Sequence, residues 1–443
     1  MEILIKVLQL ILSLSILVII HEFGHFAAAK IFKTKVEKFY LFFNPWFSLY
    51  KFNYKGTEYG IGWLPLGGYV KIAGMIDESM DKEQLKKPPE PWEFRSKPAW
   101  QRLIIMLGGV TMNVILAIII YVVMLSYYGE QYLPTAEANK YGISVDSLAR
   151  SMGFKNGDKI LAINGKPEND FNKIPADIIL DEAKTATVLR GNDTVLIKFP
   201  EGSLNKLIKH KSPMFIAPRF PFVCDKFAEN SIAEKSGMKT GDTIIGINGK
   251  FIPYFDDFRN EIQKHKNQKV NIIVKRNNDT LDLAMQLDSL GLIGVYPKAD
   301  LNAFFKLNKK EYSIGEAIPA GFKKTWKGIA NYLKQLKLLF SPEVKAYEGV
   351  GGFITIGSIF PSVWHWESFW RLTAFLSIML AILNVLPIPA LDGGHVLFIL
   401  YEIVTRRKPS DKFLEYAQIA GMIILFSLLI LANGNDIIKL FNK

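Results

Sequence analysis

The sequence is poor in the residues that crosslink chains or bind soft metals. Its 443 residues include one cysteine, Cys224, and six histidines. A single thiol cannot form a disulfide within the chain, and it excludes zinc sites that are built from several cysteines. A zinc site in this chain would therefore have to use imidazole and carboxylate ligands.

The sequence also lacks a recognisable nucleic-acid-binding motif, although its formal net charge is +12. The lysines are scattered, and much of the excess charge lies beside long apolar runs, where the positive-inside rule predicts it. We therefore expect no nucleic-acid partner. A hydrophobic fraction of 49% with a charged fraction of 22% instead predicts several membrane spans and a sizeable aqueous part.

Four apolar segments are long enough to cross a bilayer, and they cover residues 3–29, 103–127, 368–386 and 416–432. The first is too long for the apolar part of a signal peptide, and no small-residue cleavage site follows it. Lysine and arginine are concentrated between spans one and two and again after span three. We therefore predict that these two links are cytoplasmic and that the long segment after span two is external.

The first span ends in the pattern H-E-x-x-H, written here as His21-Glu22-Phe23-Gly24-His25. Histidines four residues apart on a helix share one face, so both can bind one Zn²⁺ with the glutamate beside them as a general base. Ionisable groups at membrane depth are costly, which favours a functional role. The alternative is a helix that ends in the headgroup region with two interfacial histidines.

A third zinc ligand is available beside the third span. Pro387 and Pro389 break this span, and Asp392 and His395 follow the break. Spans one and three both enter from outside, so Asp392 is expected at about the depth of the first-span histidines. Ligand chemistry alone does not choose between the carboxylate and the imidazole.

The external segment contains an internal repeat. Residues 147–166 align without gaps with residues 231–250, and 11 of the 20 positions are identical. Each copy predicts a short helix, a turn at Gly-Asp, a strand and an Asn-Gly turn. The offset of 84 residues indicates a duplicated small domain rather than a solenoid.

The H-E-x-x-H segment, the N-x-x-P-x-P-x-L-D-G-G segment and the duplicated domain together resemble the site-2 family of intramembrane metalloproteases. The resemblance extends over essentially the whole chain, and the repeats resemble the PDZ domains of bacterial envelope proteases. It implies that Asp392 is the third zinc ligand and that His395 is only a neighbour. It also implies that Asn384, Pro387 and Pro389 position the substrate near the metal.

A third family element, G-x-x-x-N, is matched in part by Gly109 and Asn113 in the second span. Val110 stands where relatives commonly have proline. Support of the active site is one interpretation of these two residues. Close helix packing with one polar crosslink is the other.

Residues 60–70 alternate apolar residues with glycine and proline turns, and they include Gly67, Gly68 and Tyr69. The segment resembles the hairpin that dips into the membrane beside the active site in this family. A free strand edge there could hold an unwound substrate. An ordinary cytoplasmic hairpin is the alternative.

The predicted fold is a multi-pass α-helical membrane protein with four transmembrane helices, two inserted α+β PDZ domains and a membrane-associated β-hairpin. We assign residues 1–127 and 368–443 to the membrane part. Residues 128–215 and 216–298 are assigned to the two PDZ-like domains, and residues 299–367 to an amphipathic linker region.

The resemblance implies a zinc endopeptidase that acts in regulated intramembrane proteolysis at the bacterial inner membrane. Its expected partners are the lipid bilayer and single-span substrates, such as anti-sigma factors or remnant signal peptides. The PDZ pair is expected outside and the active site near the cytoplasmic side. The rival hypotheses are a catalytically silent PDZ scaffold and a zinc transporter or sensor.

Overall fold

The computed structural model describes residues 2–75, 88–209, 215–339 and 351–441. It divides the chain into two compact units. The first unit, which we call the membrane unit, joins Met1–Gly129 to Glu311–Lys443. The second, which we call the inserted unit, is Glu130–Lys310.

The helices are numbered along the whole chain. They are α1 (Glu2–Ile31), α2 (Ala99–Tyr128), α3 (Thr135–Ala138), α4 (Ser147–Ser151), α5 (Ile174–Leu180), α6 (Ser203–Lys209), α7 (Ile232–Lys235), α8 (Phe255–Ile262), α9 (Ile314–Leu339), α10 (Phe353–Ser358), α11 (Trp366–Val385), α12 (Asp392–Thr405) and α13 (Asp411–Phe441).

The strands are numbered in the same way. They are β1 (Val36–Tyr54), β2 (Thr57–Ile72), β3 (Glu130–Tyr132), β4 (Ile143–Val145), β5 (Lys159–Ile163), β6 (Thr185–Arg190), β7 (Asp193–Lys198), β8 (Ile216–Pro218), β9 (Phe222–Phe227), β10 (Thr243–Ile247), β11 (Lys250–Phe251), β12 (Lys269–Arg276), β13 (Asp279–Gln286), β14 (Val295–Pro297) and β15 (Asn308–Lys310).

Four of the described helices are long and apolar enough to cross a membrane: α1, α2, α11 and most of α13. The prediction of four spans is confirmed. The helix α2 is central, because it packs against α1, α9, α11 and α12. Its approach to α1 is close at a pair of glycines: a Cβ atom on Gly24 would lie 2.2 Å from the carbonyl oxygen of Gly108.

The amphipathic helix α9 packs on the membrane unit along one face only. Gly321 lies against Val122 of α2, and Gly328 lies against Ile378 of α11. On its other face Phe322 and Trp326 are exposed. The helix therefore combines a packed face with an exposed face that carries these two aromatic side chains.

Strands β1 and β2 fold into a sheet of four segments. Residues 36–41 pair with residues 68–72 in antiparallel register, from Val36 opposite Ile72 to Leu41 opposite Gly68. Residues 38–41 of β1 also pair with residues 58–61, from Lys38 opposite Glu58 to Leu41 opposite Ile61. In this pairing the two segments run in the same direction. Residues 48–54 then pair with the other side of the 57–62 segment. Among the described strands, the 68–72 segment is therefore the outermost of the sheet.

The inserted unit has two hydrophobic cores. One lies beside the three-stranded sheet β5-β6-β7, and the other lies within the six-stranded sheet β13-β12-β10-β9-β14, in which β11 pairs with β10. The predicted strands of the two repeat copies are β5 and β10. The free thiol of Cys224 is buried in the second core.

The repeat builds the same ion pair twice. Asp158 accepts hydrogen bonds from Arg190 at 2.8 Å, and Asp242 accepts them from Arg276 at 2.7–2.8 Å. Each arginine also donates to the carbonyl oxygen of an equivalent glycine at 2.8 Å. Both aspartates are 1% exposed. The two copies of the sequence therefore fold into equivalent local structures.

Candidate metal centre

Helix α1 carries His21 and His25 on the face that packs against α2. This contact is possible because position 109 of α2 is glycine. A Cβ atom there would lie 2.4 Å from His25 Nε2 and 2.7 Å from His21 Nε2. The two imidazoles are 7% and 6% exposed. The glycine therefore leaves the room that both rings occupy.

Asp392 reaches the same place from α12, of which it is the first residue. The preceding turn has Ala390 at a φ of 84°, and Gln418 of α13 accepts a hydrogen bond from the Ala390 amide at 3.2 Å. A Cβ atom on Gly393 would lie 2.2 Å from the carbonyl oxygen of Leu386. The turn after the broken span can therefore fold tightly enough to point Asp392 at the histidines.

Three ligand atoms form a small triangle. The Nε2 atoms of His21 and His25 are 3.3 Å apart, and Asp392 Oδ2 lies 3.1 Å from the first and 3.2 Å from the second. Ligands at about 2.0–2.1 Å in a tetrahedral zinc site are separated by about 3.3 Å. Asp392 Oδ2 is buried, and no described residue donates a hydrogen bond to it. An orphaned carboxylate oxygen between two imidazole nitrogens fits a bound Zn²⁺.

Both histidines have a second partner at Nδ1. His25 Nδ1 lies 2.9 Å from the carbonyl oxygen of Ile105, and His21 Nδ1 lies 3.1 Å from Asn113 Nδ2. Such contacts fix the orientation of metal-binding imidazoles. Ile105 and Asn113 both belong to α2. The sequence predicted that Asn113 supports the active site, but no sequence pattern predicts the contact with the Ile105 carbonyl.

Glu22 lines a cavity of about 440 Å³ together with the three ligand residues. The backbone of Val70 in the edge segment of the sheet forms a hydrogen bond with the Glu22 carboxylate. Gly68 and Tyr69 of the same edge also line the cavity, whereas Gly67 precedes it at a φ of 145°. The hairpin edge, the glutamate and the triangle therefore share one space.

The remaining predicted substrate residues lie around the same turn. Asn384 Nδ2 is 3.3 Å from His21 Nε2, so its amide is next to the triangle. Pro387 and Pro389 are not among the described residues that line the cavity. They belong to the turn itself, and the Pro389 carbonyl lies against Gly421 of α13.

The other histidines do not join the triangle. His395 lines the cavity, but the group of described residues that could hold a metal consists of His21, His25 and Asp392. His265 lies beside Gln268 in the inserted unit, and His365 caps the start of α11. His210 lies outside the described residues.

A partly buried ion pair lies near the metal centre. Arg102 of α2 donates to Glu402 of α12 at 2.5 Å, and both line a separate cavity of about 70 Å³ that His395 and Gln418 also line. The pair joins the start of α2 to the helix that carries Asp392. Sequence reasoning did not identify it, because its two residues are 300 positions apart.

Comparison with known proteins agrees with this geometry. The sequence profile of peptidase family M50 matches residues 9–428. The chain belongs to this family of site-2 proteases. It is 27% identical to the regulator of sigma E protease of Haemophilus influenzae, over 97% of this chain and 98% of the relative. It is also 27% identical to protease RseP of Yersinia pestis, over 99% of this chain and 100% of the relative.

A relative from Vibrio cholerae bears the name "Putative zinc metalloprotease" and is 29% identical over 99% of this chain. Other relatives carry similar names, so the cofactor of this group is Zn²⁺. The donor set and spacing in this chain fit that ion. The predicted membership of the site-2 protease family is confirmed.

Proposed function

We propose that the chain is an intramembrane zinc endopeptidase that cleaves the transmembrane segments of single-span proteins. One observation carries this proposal: the ligand triangle, Glu22 and the 68–72 segment of the sheet all face one cavity beside membrane-spanning helices. Peptide hydrolysis needs each of them, since it requires an activated water, a proton acceptor and an extended substrate.

In this proposal His21, His25 and Asp392 hold the zinc ion. When bound, Zn²⁺ supplies Lewis acidity, which can bring the pKa of a contacting water toward about 7. The Glu22 carboxylate would accept a proton from the water that attacks the peptide and would then deliver it to the leaving amine. Asn384, whose amide nitrogen lies 3.3 Å from His21 Nε2, would donate a hydrogen bond to the carbonyl oxygen of the bound peptide.

The substrate would bind as an added strand along the 68–72 edge. Gly68 and Tyr69 line the cavity, and Gly67 lets the chain turn into this edge. Pro387 and Pro389 would act indirectly, because they shape the turn that aims Asp392. Gly109 and Asn113 would support the site from α2. The sheet would reach membrane depth, where Trp46 at its far end, 90% exposed, would meet lipid.

The repeats are proposed to be two PDZ domains, with boundaries near 128–215 and 216–298. They would lie outside the bacterial inner membrane, with the metal centre near the cytoplasmic side. Their role would be to exclude substrates with bulky external domains. Deletion of residues 130–310, joined by a short flexible linker, is then expected to keep cleavage and to admit larger substrates. Complete loss of cleavage in a folded deletion protein would refute the filter.

The physiological substrates are proposed to be anti-sigma factors or remnant signal peptides that another protease has trimmed outside. The name of the Haemophilus relative, regulator of sigma E protease, supports the first class. Full-length and externally trimmed forms of one tagged single-span protein would be compared in membranes. We expect cleavage of the trimmed form only, and equal cleavage of both would contradict a requirement for trimming.

Substitution of Glu22 by glutamine tests the central step. The change preserves size and leaves the three ligands in place, so zinc content should remain that of the wild type. We expect cleavage of the tagged substrate to be lost. Equal cleavage by both proteins would place the activity elsewhere. If neither protein cleaved while both held zinc, the rival hypothesis of a silent scaffold would replace this proposal.

A further inference from the structure

The turn that aims Asp392 at the two histidines contains a residue in an unfavourable backbone conformation. Ala390 has a φ of 84°, in the left-handed region that residues with a Cβ atom rarely adopt. Such a residue persists only where its surroundings hold it, because relaxation to a negative φ would lower its energy. Asp392 follows two positions later, so a change of φ at Ala390 would rotate the start of α12 and carry the carboxylate away from the histidines.

One side chain makes a direct hydrogen bond to this residue. Gln418 Oε1 in α13 accepts a hydrogen bond from the Ala390 amide at 3.2 Å. A backbone amide can only donate, so the atom of Gln418 that faces it must be the side-chain carbonyl oxygen. The backbone therefore fixes the polarity of this contact. Gln418 is 4% exposed, and it lines the cavity at the metal centre.

Helix α13 reaches the turn at a second point, one helical turn after Gln418. A Cβ atom on Gly421 would overlap the carbonyl oxygen of Pro389, the residue that precedes Ala390. Residues three apart are neighbours on a helix surface, so Gln418 and Gly421 present one face of α13 to the turn. The hydrogen bond and the backbone contact therefore hold two consecutive residues of the turn.

Most of α13 is otherwise exposed. Among the described residues of this helix, only Gln418, Gly421 and Asp436 are buried. In its apolar stretch 11% of the residues are buried, against 22–39% in the other three spans. Two of the three buried residues contact the turn. Burial of a polar amide is costly unless it is hydrogen-bonded, which favours a specific role for Gln418.

We propose that Gln418 is a positioning residue, which stabilises the left-handed conformation of Ala390 and thereby keeps Asp392 in place as a zinc ligand. The proposal rests on the zinc site of the proposed function but not on its proteolytic activity. Groups that orient a metal ligand typically contribute about 10–100-fold to metal affinity. We expect the lower end of this range, because Gln418 acts on Asp392 through the intervening backbone.

Zinc affinity of the full-length protein in detergent, measured by competition with a chelator, tests the proposal. Gln418→Leu keeps a side chain of similar volume but removes the carbonyl acceptor, and we expect it to weaken zinc binding about tenfold. Ser427→Ala is the control in the same helix, because Ser427 is exposed and donates to the Ile423 carbonyl of its own helix at 2.7 Å. We expect this control to bind zinc as the wild type does.

A substitution at the other end of the hydrogen bond separates a positioning role from simple packing. Glycine adopts a positive φ without steric cost, so Ala390→Gly should keep the turn in place without help from Gln418. We expect Ala390→Gly alone to bind zinc within about threefold of the wild type. Adding Gln418→Leu to Ala390→Gly should then weaken binding by less than about threefold. The larger effect of Gln418→Leu should appear only in the alanine background.

Two results of this comparison would overturn the proposal. Wild-type zinc affinity in Gln418→Leu would mean that the hydrogen bond does not contribute to the position of Asp392. An equal loss in the alanine and glycine backgrounds would mean that Gln418 acts by packing and not through the conformation of Ala390. A wild type that binds zinc no more tightly than His25→Ala would instead refute the zinc site of the proposed function, and this inference with it.

Hydrogen exchange of the zinc-free wild type, read at single-residue resolution by mass spectrometry, gives a test that does not depend on the folding of a variant. We expect the Ala390 amide to exchange at least about tenfold more slowly than in the unfolded chain, because Gln418 holds it. Exchange at the unfolded rate would overturn the proposal. Neither measurement uses cleavage, so a failure of this inference and a failure of the Glu22→Gln test are distinguishable.

Discussion

The contact between α2 and the metal centre makes position 109 a sensitive site for substitution. The Gly109→Ala change adds one carbon atom that would lie 2.4 Å from His25 Nε2 and 2.6 Å from His21 Cε1. Ordinary contacts of a Cβ atom begin at 3.4 Å, so the imidazoles would have to retreat by about 1 Å.

The rings cannot retreat that far without losing their partners. Their Nδ1 atoms are held by Ile105 and Asn113 of the same helix that bears the new methyl group. Zinc–ligand distances tolerate displacements of about 0.2 Å. We therefore expect Gly109→Ala to weaken zinc binding by about 100-fold, the upper end of the range for changes that misorient ligands.

The assay is zinc affinity by chelator competition, together with the thermal midpoint of the zinc-free protein. Gly434→Ala in α13 is the matched control, because no described atom outside its own helix turn lies within 4 Å of the added carbon and alanine favours a helix. We expect the control to bind zinc as the wild type does. Wild-type zinc affinity in Gly109→Ala would refute the packing argument.

Three further predictions concern stability and reactivity. Arg102→Met leaves the partly buried Glu402 without this partner and should lower the free energy of unfolding by about 2 kcal/mol. The double change with Glu402→Met should lose less in thermal unfolding. Asp158→Asn and Asp242→Asn should each destabilise the inserted unit by about 2 kcal/mol, measured as lower resistance to limited proteolysis. Clearly unequal resistance of the two variants would contradict the equivalence of the repeats. Burial raises the pKa of the Cys224 thiol to about 11. The alkylation rate of the native protein, followed by mass spectrometry, should therefore be at least about 200-fold lower at pH 8 than that of the unfolded chain. The rate should rise about tenfold per pH unit up to that pKa. Rapid alkylation of the native protein would contradict the burial.

The four spans could be predicted because their signal is local. Length and apolar composition alone identify a segment that can cross a bilayer, and the structure has helices at all four places. The ends of the helices differ from the predicted ends of the spans where polar residues continue a helix beyond its apolar part. The fourth helix, for example, extends to Phe441, nine residues beyond the predicted end of the span.

The hairpin shows what the sequence could not reveal. Residues 60–70 predicted a turn-rich hairpin, but β1 and β2 instead form four paired segments from 36 to 72. The arrangement depends on the chain reversing near Phe42 and Trp46, which adopt φ values of 67° and 72°. Asn44-Pro45 between them is a turn signal, but aromatic residues rarely take such φ values, so the sequence does not indicate this form of the reversal.

The surroundings of the metal centre were predictable only where a short motif exists. His25 follows His21 by four residues and Glu22 by three, about one helical turn in each case, so the face that they share follows from helix geometry. The partners of these residues come from distant positions through backbone groups, such as the Ile105 carbonyl and the Val70 amide. A backbone group has no sequence signature, so only the fold reveals it.

The central claim is that zinc held by this triangle and the Glu22 carboxylate together cleave a membrane-embedded peptide. The most direct measurement removes the metal from purified protein, restores Zn²⁺ stepwise, and follows cleavage of one tagged single-span substrate. We predict that wild-type cleavage is lost with the metal and returns in full at one zinc per chain. Glu22→Gln should take up the same zinc and remain inactive, and Asp392→Ala should fail to retain it. Cleavage by zinc-free wild type, or by zinc-loaded Glu22→Gln, would contradict the account.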